Sequence, residues 1–263
     1  MSITRMNLQL DGHGVIVFGA ARGIGHAIAS AFAAEGCRVF GFDRQQPASS
    51  SEIKFVEFVS GDVSEIGDVR RVADLAVDIQ HVVFSVGVGS GVSGFPFWNL
   101  NPSDWTRVIE VNLLGAVNVA HVFAPKLADR RQGTFLFLAS VAGQTGSQTD
   151  PPYSAAKAAL INFMQCTARD LAPFGVRSNA ISPGMVQSEL THSIWEASQT
   201  RLPESERRSF EAWSKEKLRR VSPLGRWQSA EECAAMAIFL ASQHAKNITG
   251  QTINIDGGQV MHC

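Results

Sequence analysis

A chain of 263 residues, 45% of them apolar, is long enough to bury a full core and fits one large α/β domain. A formal net charge of −1 and the lack of any run of Lys and Arg exclude the electrostatic footprint of a nucleic-acid binder. The four cysteines, Cys37, Cys166, Cys233 and Cys263, stand far apart without a C-x-x-C pair or a histidine at ligand spacing, so neither a disulfide framework nor a metal centre is expected.

The opening residues MSITRMNLQLDGHG lack an apolar h-region, and no segment reaches about 18 uninterrupted apolar residues. The expectation is a soluble, cytoplasmic protein with no membrane partner. From residue 14 short β-branched or aromatic runs alternate with helical stretches. GVIVFG reads as a buried strand, GIGHAIASAFAAEG as a helix ending at Gly36, and CRVFGFD as a strand ending at Asp43. KFVEFV (strand), DVRRVADLAV (helix), HVVFSV (strand), a long helix from about Pro102 to Leu127 and TFLFLAS (strand) follow. Then come a helix opening at PPYSAAKAAL, a strand around VRSNAIS, a helix from Ala230 to Leu240 and the closing strand TINID. Apolar strands separated by helices predict a Rossmann-like, doubly wound parallel sheet, one domain over 1–263. Residues 187–226 break the rhythm: they are polar and charged, yet carry Leu190, Ile194, Trp195, Phe210 and Trp213. A helical substrate lid is the expectation, a plain surface insertion the alternative.

GAARGIG follows the first strand and opens the first helix, which suits a diphosphate cradle formed by Gly19, Arg22, Gly23, Ile24 and Gly25. Asp43, at the end of the second strand, can accept both ribose hydroxyls of an adenosine and would repel a 2′-phosphate, which favours NAD. Arg22 and Arg44 point the other way, since either could attract that phosphate. GVGSGVSG, residues 87–94, opens no apolar helix and is expected to be a flexible loop at the substrate mouth.

The only tyrosine, Tyr153, follows Pro151 and Pro152, residues that fit the first turn of a helix, and Lys157 lies one turn later on the same face. A nearby ammonium favours a phenolate, so the pair can form a tuned acid/base; a surface tyrosine with a solvated lysine is the plain alternative. Ser140 ends the strand TFLFLAS at the carboxyl edge of the sheet, where its hydroxyl can hold a substrate oxygen. Asn112 lies on the apolar stripe of the long helix, either as a core hydrogen-bonding residue or as the holder of a proton-relay water.

These motifs, together with GDV at 61–63, VNLLG at 111–115, YSAAK at 153–157, SPGMV at 182–186 and ITGQTINIDGG at 248–258, resemble the single-domain short-chain dehydrogenase/reductases over nearly the whole chain. The resemblance implies that Tyr153 is the general acid/base, that Lys157 lowers its pKa and binds the nicotinamide ribose, that Ser140 orients the substrate oxygen and that Asn112 holds the relay water. It further implies that Asp62 and Val63 flank the adenine, that Ser85 and Gly87 border the cofactor, and that Pro183, Gly184, Val186 and Ser188 surround the nicotinamide. Phe18, the run Phe84-Ser85-Val86-Gly87 and Ser188 depart from the usual Thr, N-N-A-G and Thr. The implied reaction is hydride transfer between NAD(H) and a secondary alcohol or ketone: a hydroxy acid, polyol, sugar or cyclic alcohol. The alternative is an NAD(H)-binding sensor or scaffold without catalysis. Val88, Val141, Gln144, Gln148, Leu190, Ile194, Trp195 and Trp213 are the expected pocket lining, while His192, His262 and Arg226 read as surface residues. A homo-oligomer, dimer or tetramer, joined through helices 102–127 and 152–172, is implied by the resemblance alone.

Overall fold

The computed structural model describes residues 7–48, 53–92, 96–147, 149–200 and 202–261. Their strands are Gly14–Phe18 (β1), Arg38–Asp43 (β2), Glu57–Ser60 (β3), Ile79–Phe84 (β4), Gly133–Leu138 (β5), Val176–Pro183 (β6) and Thr252–Ile255 (β7). All pair in parallel, in the spatial order β3-β2-β1-β4-β5-β6-β7. The order reverses between β1 and β4, which opens a crevice at the carboxyl ends of those two strands.

The central strands β1, β4 and β5 bury both of their faces, which explains the near-continuous apolar runs in the sequence. Ile16, Phe18, Phe40, Phe42, Val82 and Phe84 face one layer of helices: Ile66–Leu75 (α2), Gly115–Arg130 (α4) and Pro151–Leu171 (α5). Val15, Val17, Val39, Val83, Leu136 and Leu138 face the other layer, Gly23–Ala34 (α1) and Ala230–Ala241 (α8). Phe18 is fully buried with its ring against Phe42 and Phe123.

Two elements differ from expectation. β3 begins three residues later than KFVEFV suggests: Val56 is 53% exposed, and Phe58 lies over Gly41, where an added Cβ would come within 2.4 Å of its ring. The long helix is not continuous either. It runs Ser103–Ile109 (α3), widens into a π-turn at Glu110–Leu114, and resumes as α4. By length and composition this 103–130 run would suffice to cross a bilayer, yet α4 packs against α2, β4 and β5. Residues 187–226 contain two α-helices, Glu189–Gln199 (α6) and Phe210–Val221 (α7), which both the lid and the surface-insertion expectations allow.

At the amino edge of the sheet His81 is 4% exposed. Its Nε2 faces Nδ1 of His13 at 3.0 Å, its Nδ1 faces Oγ1 of Thr134 at 2.8 Å, and its ring stacks on Phe32. Burial, reinforced by the charges of His13, Arg177 and Arg130, holds its pKa down to about 3. The folded state therefore keeps His81 neutral where the unfolded chain takes up a proton near its ordinary value of 6.5. Stability from this group is complete above about pH 6.5 and is lost as the pH falls towards 3, at up to about 1.4 kcal/mol per pH unit. Urea melts stepped from neutral to acid pH should show a falling midpoint, less steep in His81→Gln; equal slopes in the two proteins would contradict the assignment.

Candidate active site

The crevice between β1 and β4 is built by backbone contacts that only glycine allows. An added Cβ at Gly25 would lie 2.0 Å from the Gly19 carbonyl oxygen, and one at Gly19, whose φ is +84°, would lie 2.9 Å from that of Ser85. Gly19 donates its N–H to the Phe42 carbonyl, and Ser85 donates to that of Phe18. α1 starts at Gly23 with Arg22 as an extended N-cap; Gly23 has open space around it, and no side chain caps the helix. The first-turn N–H groups, including that of the half-buried Ile24, thus suit a diphosphate.

Asp43 braces this loop: Oδ2 accepts the Ala21 N–H and Oδ1 the Gln45 N–H. Arg44 turns towards Asp62, with Nε 3.5 Å from Oδ2. Burial works against ionisation of Asp62, but the Ser64 N–H and hydroxyl, with Arg44 and Arg107, hold its carboxyl below the usual range. Val63 is 3% exposed and packs against Gly115. Its carbonyl, like that of Ser64, accepts from Asn118 Nδ2.

The four residues proposed for chemistry converge at the carboxyl edge of β4 and β5. Ser140 caps a short turn, its hydroxyl accepting the Ala142 N–H, and that hydroxyl favours the ionised form of the neighbouring Tyr153 phenol. Lys157, 2% exposed, donates from Nζ to the Leu138 carbonyl at 2.7 Å and stands 5.5 Å from the Tyr153 ring centroid. Gly87 connects Lys157 with Asn112, since a Cβ there would lie 3.2 Å from Asn112 Oδ1 and 3.4 Å from Lys157 Nζ.

Asn112 is fully buried in the π-turn, a type of helix irregularity that recurs at functional sites. Its Nδ2 donates to the Val108 and Val88 carbonyls, and its Oδ1 accepts the Val88 N–H. The core hydrogen-bonding reading of Asn112 is therefore realised directly. In the loop after β4, expected over residues 87–94, Val88 is held by Asn112, while residues 93–94 lie outside the described residues.

The electrostatics also correct an expectation. Burial pushes the phenol up to about 12, with Ser140 drawing it partly back and Asp150 adding to the rise. Burial likewise brings Lys157 down to about 7. With protein groups alone acting, the lysine does not make the phenol acidic, because desolvation penalises both charged forms.

On the far side of the crevice Gly184 donates to the Ile255 carbonyl, and the Met185 carbonyl accepts the Gln228 N–H. Pro183 ends β6, Val186 bridges to Gln228, and Ser188 caps α6 by accepting the Thr191 N–H. Trp195 is committed within the 187–226 segment: Nε1 donates to the Arg208 carbonyl, and its ring meets His192 and Phe210, which in turn stacks on Trp227. Val141 is buried, and Val88 packs against the core. Gln144 forms a reciprocal amide pair with Asn254, and Arg226 pairs with Glu232. Gln148, His262 and the side chain of Leu190 lie outside the described residues.

Sequence reasoning missed Asp150 and Ser154. Asp150 caps α5, and Ser154 holds the 140–147 loop by donating to the Ala142 carbonyl and accepting the Ser147 N–H. An Asp directly before Pro-Pro is a readable helix start, and it was the available signal for the first of them.

A family profile described as Enoyl-(Acyl carrier protein) reductase matches residues 19–260. The 3-oxoacyl-[acyl-carrier-protein] reductase FabG of Thermotoga maritima is 30% identical, over 97% of this chain and 100% of that protein. The ligand-free aldohexose dehydrogenase of Thermoplasma acidophilum superposes with a TM-score of 0.85 at 27% identity, covering 98% of each chain. A variant actinorhodin polyketide ketoreductase with NADPH superposes with a TM-score of 0.84 at 26% identity, covering 95% of this chain and 98% of that one. With the sheet order, the glycine crevice and these matches in agreement, the chain belongs to the short-chain dehydrogenase/reductases, oxidoreductases that use a nicotinamide cofactor on small molecules.

Proposed function

We propose that this chain interconverts a secondary alcohol and its ketone with NAD(H), and that Tyr153 is the proton-exchanging group. The observation that carries the reading is the meeting of Ser140, Tyr153, Lys157 and Asn112 beside a glycine crevice at the carboxyl edge of the sheet. Gly19, Gly23 and Gly25 would hold the diphosphate, Asp43 the adenosine ribose, Asp62 and Val63 the adenine side, and Pro183, Gly184, Val186 and Ser188 the nicotinamide side. Bound there, the nicotinamide supplies or takes up the hydride. Ser140 positions the substrate oxygen against the phenol, and Tyr153, protonated at neutral pH, is ready to donate to a carbonyl oxygen. Lys157, whose pKa burial lowers to about 7, stands 5.5 Å from the Tyr153 ring centroid and would bind the nicotinamide ribose.

Two observations support NAD over NADP. Asp43 ends β2 with a carboxylate that ties down the glycine loop and would repel a 2′-phosphate there, and Arg44 is engaged with Asp62. Kinetics with both cofactors on a panel of hydroxy acids, polyols, sugars, cyclic alcohols and their ketones tests the reading. Turnover of one class with kcat/KM at least about tenfold higher for NAD(H) is expected, the scale of one lost charged contact. Equal efficiency with the two cofactors would remove the NAD assignment. A silent panel despite measurable NADH binding would favour the sensor reading.

A further inference from the structure

Asp150 is a carboxylate 6% exposed, and it is bonded to two separate parts of the chain. It is the N-cap of α5, whose first two positions are Pro151 and Pro152. Neither proline has an N–H, so the first donor a cap can reach is that of Tyr153 itself, which Oδ1 accepts at 3.3 Å. The second oxygen is not needed for capping. It accepts the Ser90 N–H at 2.8 Å, sixty residues away in the glycine-rich loop after β4.

Ser90 is itself fixed, its hydroxyl donating to the Val92 carbonyl and accepting the Val92 N–H. The same loop is held at Val88 by Asn112. Two side chains, one on each side, therefore define the path of residues 88–92, and both belong to elements that carry the proposed chemistry. Among the described residues no Lys, Arg or His pairs with Asp150, so its charge is balanced by N–H dipoles alone.

We propose that Asp150 is a positioning residue of this site: one carboxylate that fixes the Tyr153 turn and the 88–92 loop to each other and sets a negative charge behind the phenol. The proposal rests on Tyr153 being the acid/base. The ionisable groups bearing on the phenol are Asp150 at the start of its helix and Lys157 one turn on; the β5 edge contributes the neutral Ser140 hydroxyl, and the π-turn contributes the neutral Asn112 amide beside Lys157. A like charge disfavours phenolate, so Asp150 adds to the rise that burial sets, and the loop tie keeps Val88 in place at the mouth.

Asp150→Asn preserves a capping oxygen, since Asn caps as well as Asp, while removing the charge and one acceptor. In this variant the Tyr153-dependent limb of kcat against pH is expected to move about one unit lower. The substrate KM should rise several-fold as the loop loses its tie, with NADH affinity within about threefold and the melting temperature near that of the parent. Asp150→Ala, which also loses the cap, should show the same pH shift together with a lower melting temperature. An unchanged pH profile and KM in Asp150→Asn, in a protein where Tyr153→Phe is inactive, overturns the proposal alone. Full turnover in Tyr153→Phe overturns the acid/base reading and this proposal with it.

Discussion

Replacing Tyr153 by Phe is expected to lower kcat by about 10²- to 10⁴-fold, the usual worth of a positioned general acid or base, while NADH affinity stays within a few-fold. The ring keeps its packing on α5, and only the hydroxyl that meets Ser140 is lost. Initial rates with the preferred substrate, beside a fluorescence titration of NADH, separate the two effects. If kcat were kept, the proton would have to pass through another group; among the described residues at this edge the ionisable ones are Asp150 and Lys157, whose Nζ is directed to the Leu138 carbonyl.

Gly25→Ala is expected to weaken NADH binding about 10- to 100-fold, corresponding to the roughly 1–3 kcal/mol that overpacking costs. The new methyl would sit 2.0 Å from the Gly19 carbonyl oxygen, so β1 and the start of α1 must separate, and the N–H groups facing the diphosphate are displaced with them. Gly67→Ala is the control, because a Cβ on that residue of α2 meets nothing within 4 Å. NADH titrations of the two variants distinguish crowding of the crevice from a general effect of Gly→Ala; equal affinities would show that the crevice tolerates a side chain.

The strands were the most legible part of the chain because they are buried on both faces, so GVIVF and GTFLFL read as unbroken apolar runs whatever surrounds them. β3 was displaced because Phe55, Val56 and Phe58 are all apolar: Phe55 and Phe58 both lie over Gly41 while Val56 is exposed, and the residue pattern does not mark where pairing with β2 begins. The Tyr153 and Lys157 pair was legible because helical spacing is local. Its surroundings were not: the charge behind the phenol comes from an Asp whose role appears only once Ser90 has been folded back onto it. The restraints on the described part of the 87–94 loop were hidden for the same reason. Glycines announce a permissive backbone, but the groups that restrain it, Asn112 and Asp150, come from distant parts of the chain. The π-turn left no mark in the residue pattern, since tertiary packing selects it.

That widened turn holds one residue more than an α-helical turn, and the surplus changes the phase of everything after it. In an unbroken helix Val108 and Ala116 would point about 80° apart, whereas absorbing one extra residue brings them to within about 20° of each other. Both are almost wholly buried, so two helical segments whose inward stripes would otherwise diverge share one inward azimuth, and the swollen coil between them is where the carboxamide of Asn112 enters the interior.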